Sequence, residues 1–241
     1  PVVVHEQNAV PGLTNRLLSR LATVTLEGFQ GAFGNPQACW VGNPVRPEIT
    51  ALDEPARRYA QHQGGLRVLV LGGSQGALVL NQDLPELLLA VLGRDIQVRH
   101  QCGAGRTAEA APIYQALGLQ AQVSEFIDDM AEAYGWADIV LCRSGALTVS
   151  ELCVAGVGAV LVPFPHAVDD HQTRNAQQMV NAKGAILIPQ PKLSADLLAE
   201  TLTDLGKDRR RILDMAKAAK TLARPDATER VVNYCLEAAN G

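Results

Sequence analysis

From Leu66 onward, six short β-rich runs alternate with segments of helical periodicity. The runs are Arg67-Val68-Leu69-Val70-Leu71, Ile96-Gln97-Val98-Arg99, Ala121-Gln122-Val123, Asp138-Ile139-Val140-Leu141, Ala159-Val160-Leu161-Val162 and Ala185-Ile186-Leu187-Ile188. A chain in this order is satisfied by right-handed βαβ crossovers, which place the strands parallel and cover both faces of the sheet with helices. The near-continuous apolar runs agree, because a strand covered on both faces offers no side to water. The expected class is α/β, with a Rossmann-like domain.

The first 46 residues read differently. Pro1-Val2-Val3-Val4-His5 and Thr23-Val24-Thr25-Leu26 are short strands. Between them Leu13, Leu17, Leu18 and Leu21 recur at helical spacing, with Arg16 and Arg20 on the other side, so a helix over 13–22 is expected, its leucines toward the core. Gly34-Asn35-Pro36 and Gly42-Asn43-Pro44 then punctuate the chain, and a domain boundary is placed just after Arg46. The opening strand carries no initiator methionine and follows no helix or turn, so the chain reads as starting in the middle of a fold. Residues 1–46 are taken as the end of one domain and 47–224 as a second. At 225–241, Pro225-Asp226-Ala227-Thr228-Glu229 pairs a capping Asp with a Glu three residues on, and opens a final helix expected to reach about Ala239 and pack back on the first domain.

Composition removes several classes of function. With 241 residues, 47% of them hydrophobic, the chain can bury a substantial core, so disorder is not expected. A formal net charge of −4 lacks the basic field that nucleic-acid binding needs. Cys39, Cys102, Cys142, Cys153 and Cys235 form no C-x-x-C pair and mostly sit beside apolar runs, the pattern of free buried thiols in a reducing compartment. No apolar stretch approaches the roughly 20 residues of a spanning helix.

In a parallel sheet ligands collect beyond the carboxyl ends of the strands, so the loops following strands are where chemistry is sought. Gly72-Gly73-Ser74-Gln75-Gly76-Ala77 follows a strand and opens a helix; it reads either as a tight turn or as a backbone cradle for phosphate, and matches neither G-x-x-x-x-G-K-[ST] nor G-x-G-x-x-G. Arg143-Ser144-Gly145-Ala146-Leu147-Thr148-Val149-Ser150-Glu151 leads into a helix expected to begin near Thr148. Glu151 would then sit in the first turn, either stabilised by the helix dipole or accepting hydrogen bonds from ribose hydroxyls. The loop 163–176 holds His166, Asp169, Asp170, His171 and Gln172 at spacings that fit no metal-ligand pattern, and suits sugar hydroxyls better. Glu125-Phe126-Ile127-Asp128-Asp129-Met130 is either an acidic helix N-terminus or an exposed backbone edge for a planar base.

Taken together, and with His5-Glu6-Gln7-Asn8 and Gly42-Asn43-Pro44-Val45-Arg46 upstream, these segments resemble the MurG family of lipid-linked muramoyl-pentapeptide N-acetylglucosaminyltransferases. Matches run from end to end of the chain. The resemblance implies two Rossmann-like domains of the GT-B type facing a cleft, the C-terminal one complete here and the N-terminal one partial. It implies an inverting, metal-independent transfer of N-acetylglucosamine from UDP-N-acetylglucosamine to the 4-hydroxyl of undecaprenyl-pyrophosphoryl-MurNAc-pentapeptide, with no cofactor. Ile127 would meet the uracil through its backbone and Glu151 the ribose. Ser74, Arg46 and the glycine-rich loop would serve the diphosphate. Ala146, Leu147, Thr148 and Gln172 would line the sugar, with Val149 and Ser150 in the same substrate-binding segment, and Asn8 would reach in from the other domain.

The family's general base falls in a half-domain this sequence does not contain, which leaves His5 and Glu6 as weak substitutes. The resemblance further implies peripheral attachment to the cytoplasmic face of the bacterial inner membrane, where the polyprenyl tail of the acceptor must stay. Two rivals are a related UDP-sugar glycosyltransferase with another acceptor and a non-catalytic UDP-sugar-binding module.

Overall fold

The computed structural model describes residues 1–240. Strands β1 (Val3–Glu6), β2 (Val24–Glu27) and β3 (Cys39–Trp40), with α1 (Leu13–Leu18) between the first two, form a small parallel sheet in the order β1-β2-β3. Two short helices, α2 (Pro47–Thr50) and α3 (Pro55–Gln61), lead into a larger sheet. Its strands are β4 (Leu66–Leu71), β5 (Ile96–Gln101), β6 (Gln120–Ser124), β7 (Ile139–Cys142), β8 (Ala159–Leu161) and β9 (Ala185–Leu187). Among them run α4 (Leu78–Gln82), α5 (Leu84–Leu92), α6 (Thr107–Leu117), α7 (Met130–Trp136), α8 (Ala146–Ala155) and α9 (His171–Asn181). The chain finishes with α10 (Ala195–Lys207), α11 (Arg209–Lys220) and α12 (Ala227–Asn240).

All pairings in the larger sheet are parallel, and the strand order is β6-β5-β4-β7-β8-β9. The chain therefore builds outward from β4 to β6, crosses back to lay β7 against β4, and builds outward the other way. Connections leaving β4 and β7 diverge to opposite faces, so a crevice opens between their carboxyl ends, at the topological switch point.

The apolar strands do what their composition requires. On β4, Val68 and Val70 pack into one core layer and Leu69 and Leu71 into the other; on β7, Ile139 and Leu141 divide from Val140 and Cys142 in the same way. Period-two alternation with both sets buried is the signature of a sheet covered on both faces. Arg58 of α3 braces one layer from below: its guanidinium donates to the carbonyls of Tyr134, Ala155 and Gly156, satisfying the last carbonyls of α8 with a cation where the helix dipole is negative.

Two features of the small sheet depart from expectation. β3 is only two residues long, too short for any periodicity. The leucines of the first helix do not face a core: Leu13 is 71% exposed and Leu21 80%, Leu17 and Leu18 are also exposed, and α1 ends at Leu18 with none of its residues buried. Helical spacing records that an apolar stripe exists, not what lies against it; among the described residues α1 packs chiefly on β1.

Helix α12 lies against β1 and β2. Its approach depends on Gly42, at φ +88°, where a Cβ would stand 2.4 Å from Cβ of Arg224. The Arg224 guanidinium then stacks 3.6 Å from the ring of Trp40, whose Nε1 donates to the Gly28 carbonyl at 3.2 Å. No helix is long and apolar enough to cross a membrane, among the described residues. The cysteines are free; Cys102, Cys142 and Cys153 are buried, whereas Cys235 is exposed on α12.

Candidate functional site

A crevice of about 230 Å³ opens at the switch point, lined among others by Arg46, Ser74, Ile127, Thr148 and Glu151. These five come from four separate segments, Thr148 and Glu151 sharing α8, so the fold rather than local sequence assembles them.

The glycine-rich loop after β4 is held by its own hydrogen bonds. Gly72 N donates to the Gln101 carbonyl (2.8 Å), Gly73 N to Gln101 Oε1 (3.0 Å) and Gly76 N to the Gly73 carbonyl (2.9 Å), which leaves the N–H groups of Ser74 and Gln75 for a ligand. Gly76 (φ +72°) has no room for a side chain, since a Cβ would lie 2.4 Å from the Cys102 carbonyl. α4 begins only at Leu78 and has five residues. The loop thus offers its backbone amides rather than the dipole of a long helix.

Helix α8 begins at Ala146, capped by Gly145, two residues earlier than the sequence suggests. Glu151 therefore lies in the second turn, beyond the reach of the dipole effect, which fades within the first. Thr148 and Glu151, three residues apart, share the crevice face. The side chains of Val149 and Ser150 do not line it. Each helical residue turns about 100°, so contiguity in a motif does not put side chains on one face. Val149 is buried in the core; Ser150 Oγ donates to the Ala146 carbonyl (2.9 Å) and accepts from Asn43 Nδ2 (3.0 Å) on the far side of the helix. Ala146 is nearly buried and Leu147 half-exposed, in the first turn, where backbone N–H groups lack helical acceptors.

The Glu151 carboxylate is partnered within the protein. Arg46 Nη2 lies 3.2 Å from Oε1, and the Tyr134 hydroxyl donates to Oε2 at 3.0 Å. Burial and the Glu151 charge hold the Tyr134 phenol well above its usual range, so it remains a neutral donor. Arg46, expected at the diphosphate, stands at the mouth of the crevice in this ion pair.

The segment after β6 borders the crevice on another side. Gln101 Nε2 and Gly103 N both donate to the Glu125 carbonyl, at 2.7 and 3.2 Å, and Asp129 Oδ1 accepts from Glu132 N at 2.8 Å to cap α7. Between these anchors the Ile127 side chain packs against the core, so the backbone at this position is fixed at the edge of the crevice.

Asn8 and Gln172 lie outside the 230 Å³ crevice lining. Buried Asn175 of α9 donates from Nδ2 to Asn8 Oδ1 and to the Ser144 carbonyl, both at 3.2 Å, and accepts from Ala9 N at 2.8 Å, tying Asn8 to the loop that precedes α8. Gln172 Oε1 accepts from Phe164 N at 2.9 Å. Two consecutive residues before it, Asp169 and Asp170, take left-handed φ of 52° and 50°.

Glu6 and His5 are engaged in holding the fold. The buried Glu6 carboxylate accepts from Asn8 N (2.8 Å), Asn8 Nδ2 (3.3 Å), Gly12 N (3.2 Å) and Asn15 Nδ2 (2.9 Å), shaping the turn after β1. His5 Nε2 lies 3.0 Å from the Gly42 carbonyl. Among the described residues no group of three or more His, Cys, Asp or Glu side chains is placed to hold a metal ion.

Sequence reasoning misses Gln101, Tyr134 and Arg143, all of which line the crevice. Arg143 donates to the Val162 and Pro163 carbonyls, both at 3.0 Å, and to Gln190 Oε1 at 2.6 Å, steadying the loop after β8. The legible signal for Gln101 was a polar residue closing an apolar strand just before Cys102-Gly103-Ala104-Gly105, a second glycine-bearing loop.

A parallel sheet with this switch-point crevice, beside a second parallel sheet, is an α/β fold of the GT-B type. The Glycosyltransferase family 28 C-terminal domain matches residues 67–231. The chain is 75% identical over its whole length to the UDP-N-acetylglucosamine–N-acetylmuramyl-(pentapeptide) pyrophosphoryl-undecaprenol N-acetylglucosamine transferase of Alcanivorax borkumensis and 62% identical to that of Marinobacter nauticus, covering 67% of each. It superposes on the crystal structure of Acinetobacter baumannii MurG with a TM-score of 0.88 at 38% identity, over 98% of this chain and 67% of that one. The chain belongs to the MurG family. It spans about two thirds of the length of these relatives.

Proposed function

We propose that the crevice binds UDP-N-acetylglucosamine and that the protein transfers its sugar to the 4-hydroxyl of a lipid-linked N-acetylmuramoyl-pentapeptide. The observation that carries this reading is the convergence of Arg46, Ser74, Ile127, Thr148 and Glu151 on one crevice at the switch point. The backbone at Ile127 reads the uracil edge and the Glu151 carboxylate accepts from the ribose hydroxyls. Ser74, the free loop amides and Arg46 carry the diphosphate, stabilising the charge that grows on the leaving UDP. The first turn of α8 and the Asn8 segment bound the sugar, with Gln172 nearby. The acceptor hydroxyl attacks the anomeric carbon from the face opposite UDP, so the linkage inverts. Fixed amides and a guanidinium supply the stabilisation without a metal. Glu6, saturated by four hydrogen bonds, is not the base that takes the acceptor proton.

Residues 1–46 together with α12 form one lobe in this reading and residues 47–224 the other, with Gly42–Arg46 as one strand of the hinge. The polyprenyl tail requires the work to be done at the cytoplasmic membrane face. The exposed Leu13, Leu17, Leu18 and Leu21 beside exposed Arg16 and Arg20 support a membrane contact there, since basic and apolar groups together favour an anionic interface.

The test is direct. The protein is incubated with UDP-N-acetylglucosamine and a lipid-linked muramoyl-pentapeptide, and UDP release and the anomeric configuration of the product are measured. Stoichiometric UDP and a β-linked disaccharide are expected. Transfer only to a different acceptor, or tighter binding of NAD than of UDP-N-acetylglucosamine, would overturn the reading.

A further inference from the structure

We infer that Gln101 is a positioning residue that clamps the phosphate loop to the base loop, so that the two ends of the nucleotide meet one rigid surface; this rests on the nucleotide-site reading above. Gln101 closes β5 and is 6% exposed. Its side-chain amide makes three hydrogen bonds to two different loops. Oε1 accepts from Gly73 N (3.0 Å), while Nε2 donates to the Gly73 carbonyl (3.1 Å) and to the Glu125 carbonyl (2.7 Å). Gly73 and Ser74 of the glycine-rich loop line the crevice, and Glu125 stands two residues before Ile127, which lines it too.

The chemistry suits an amide and no other side chain of this length. One acceptor and two donors are needed from a single planar group, and glutamine supplies both. A carboxylate would offer Gly73 N an acceptor but turn its second oxygen onto two carbonyls. A methionine would fill the space and leave Gly73 N and both carbonyls without this partner. The loops are otherwise joined through the next turn: Gly103 N also donates to the Glu125 carbonyl, and Ala104 N donates to the Ser74 carbonyl at 3.2 Å. Gln101 is thus the side chain that makes the separation between diphosphate and uracil subsites a fixed distance. A ligand that spans both gains from that fixed spacing, because the second contact costs no further ordering; a ligand that uses one subsite gains nothing from it.

Binding of UDP, uridine and inorganic pyrophosphate is to be measured by titration on the full chain and on its Gln101→Met and Gln101→Glu variants. For Gln101→Met, UDP affinity is expected to fall by about tenfold while uridine and pyrophosphate each change by about threefold or less, the loss being in the coupling of the subsites. For Gln101→Glu, UDP affinity relative to wild type should recover as pH falls from about 7 to 5, because protonation of a carboxyl held against two carbonyls restores a donor. Unaltered UDP binding in both variants would overturn the clamp alone. Equal weakening of all three probes with a flat pH profile in Gln101→Glu would also overturn it, reducing Gln101 to a support of the fold. A wild-type chain that bound no UDP would overturn the clamp and the site reading together.

Discussion

Arg46 and Glu151, 105 residues apart in sequence, form an ion pair of 3.2 Å at the mouth of the switch-point crevice. Arg46 lies in the segment leaving the small sheet and Glu151 in the second turn of α8, so the pair joins the two sheets across the site. With Arg46 half-exposed the pair is weakly stabilising, on the order of 0–1 kcal/mol. On the function proposed above, a nucleotide exchanges it at small cost for two contacts, guanidinium to diphosphate and carboxylate to ribose.

Glu151→Gln is expected to weaken UDP and UDP-N-acetylglucosamine alike, by about 1–3 kcal/mol, the range for a charge-assisted hydrogen bond. Stability should change little, because an amide oxygen still accepts from the Tyr134 hydroxyl. Calorimetry and a thermal melt on the same sample decide the matter. A fall in Tm with unchanged nucleotide affinity would make Glu151 a structural residue.

Arg46→Lys keeps the charge but loses the planar fork that engages two phosphate oxygens. Affinity for UDP should drop by about 1–3 kcal/mol, while that for uridine, which has no phosphate, should stay the same. Equal loss for both ligands would put Arg46 at the ribose or base instead.

Ser150→Ala removes one of the two acceptors of Asn43 Nδ2, the other being the Gln7 carbonyl, and leaves the side chains that line the crevice in place. Denaturant unfolding should report a loss of about 1 kcal/mol. UDP affinity should match the wild type; a tenfold loss with the fold intact would return Ser150 to the substrate.

Acid should weaken the layer under the glycine-rich loop through His100. This ring is fully buried between Asn81 Oδ1 and the Tyr114 hydroxyl, each at 3.1 Å, and burial lowers its pKa from 6.5 to about 4. The folded state thus prefers the neutral ring. The stabilisation is complete above pH 6.5 and is lost as pH falls from 6.5 toward 4, by about 3 kcal/mol in all. The unfolding free energy of wild type minus that of His100→Gln should shrink over this interval. Parallel pH curves for the two proteins would contradict the account.

The larger sheet was legible because its strands are short β-rich runs bounded by helix-patterned segments, and β4 and β7, the most apolar, are buried on both faces. β3 was not, since two residues carry no period. The exposure of Leu13 and Leu21 could not be read from an apolar stripe, which has the same spacing against a core or against water. That Ser74, Ile127, Thr148 and Glu151 come together in one crevice was legible because each lies in a loop or helix that follows a strand of the larger sheet. The side chains of Val149 and Ser150 lie off the crevice face because a motif is contiguous in sequence whereas a helix distributes it around its axis. Gln101 and Tyr134 act through partners distant in sequence, Glu125 for one and Glu151 for the other; the place of Gln101 before a glycine-bearing loop is a local signal, but neither partner is marked locally.

The central claim is that the switch-point crevice is the UDP-N-acetylglucosamine site, and a crystal structure of the protein with that nucleotide tests it most directly. The account predicts the uracil against the Ile127 backbone, the ribose hydroxyls on Glu151, the diphosphate on the Ser74 and Gln75 amides, and Arg46 moved from Glu151 to the phosphates. Nucleotide density elsewhere on the protein, with Arg46 and Glu151 still paired, would contradict it.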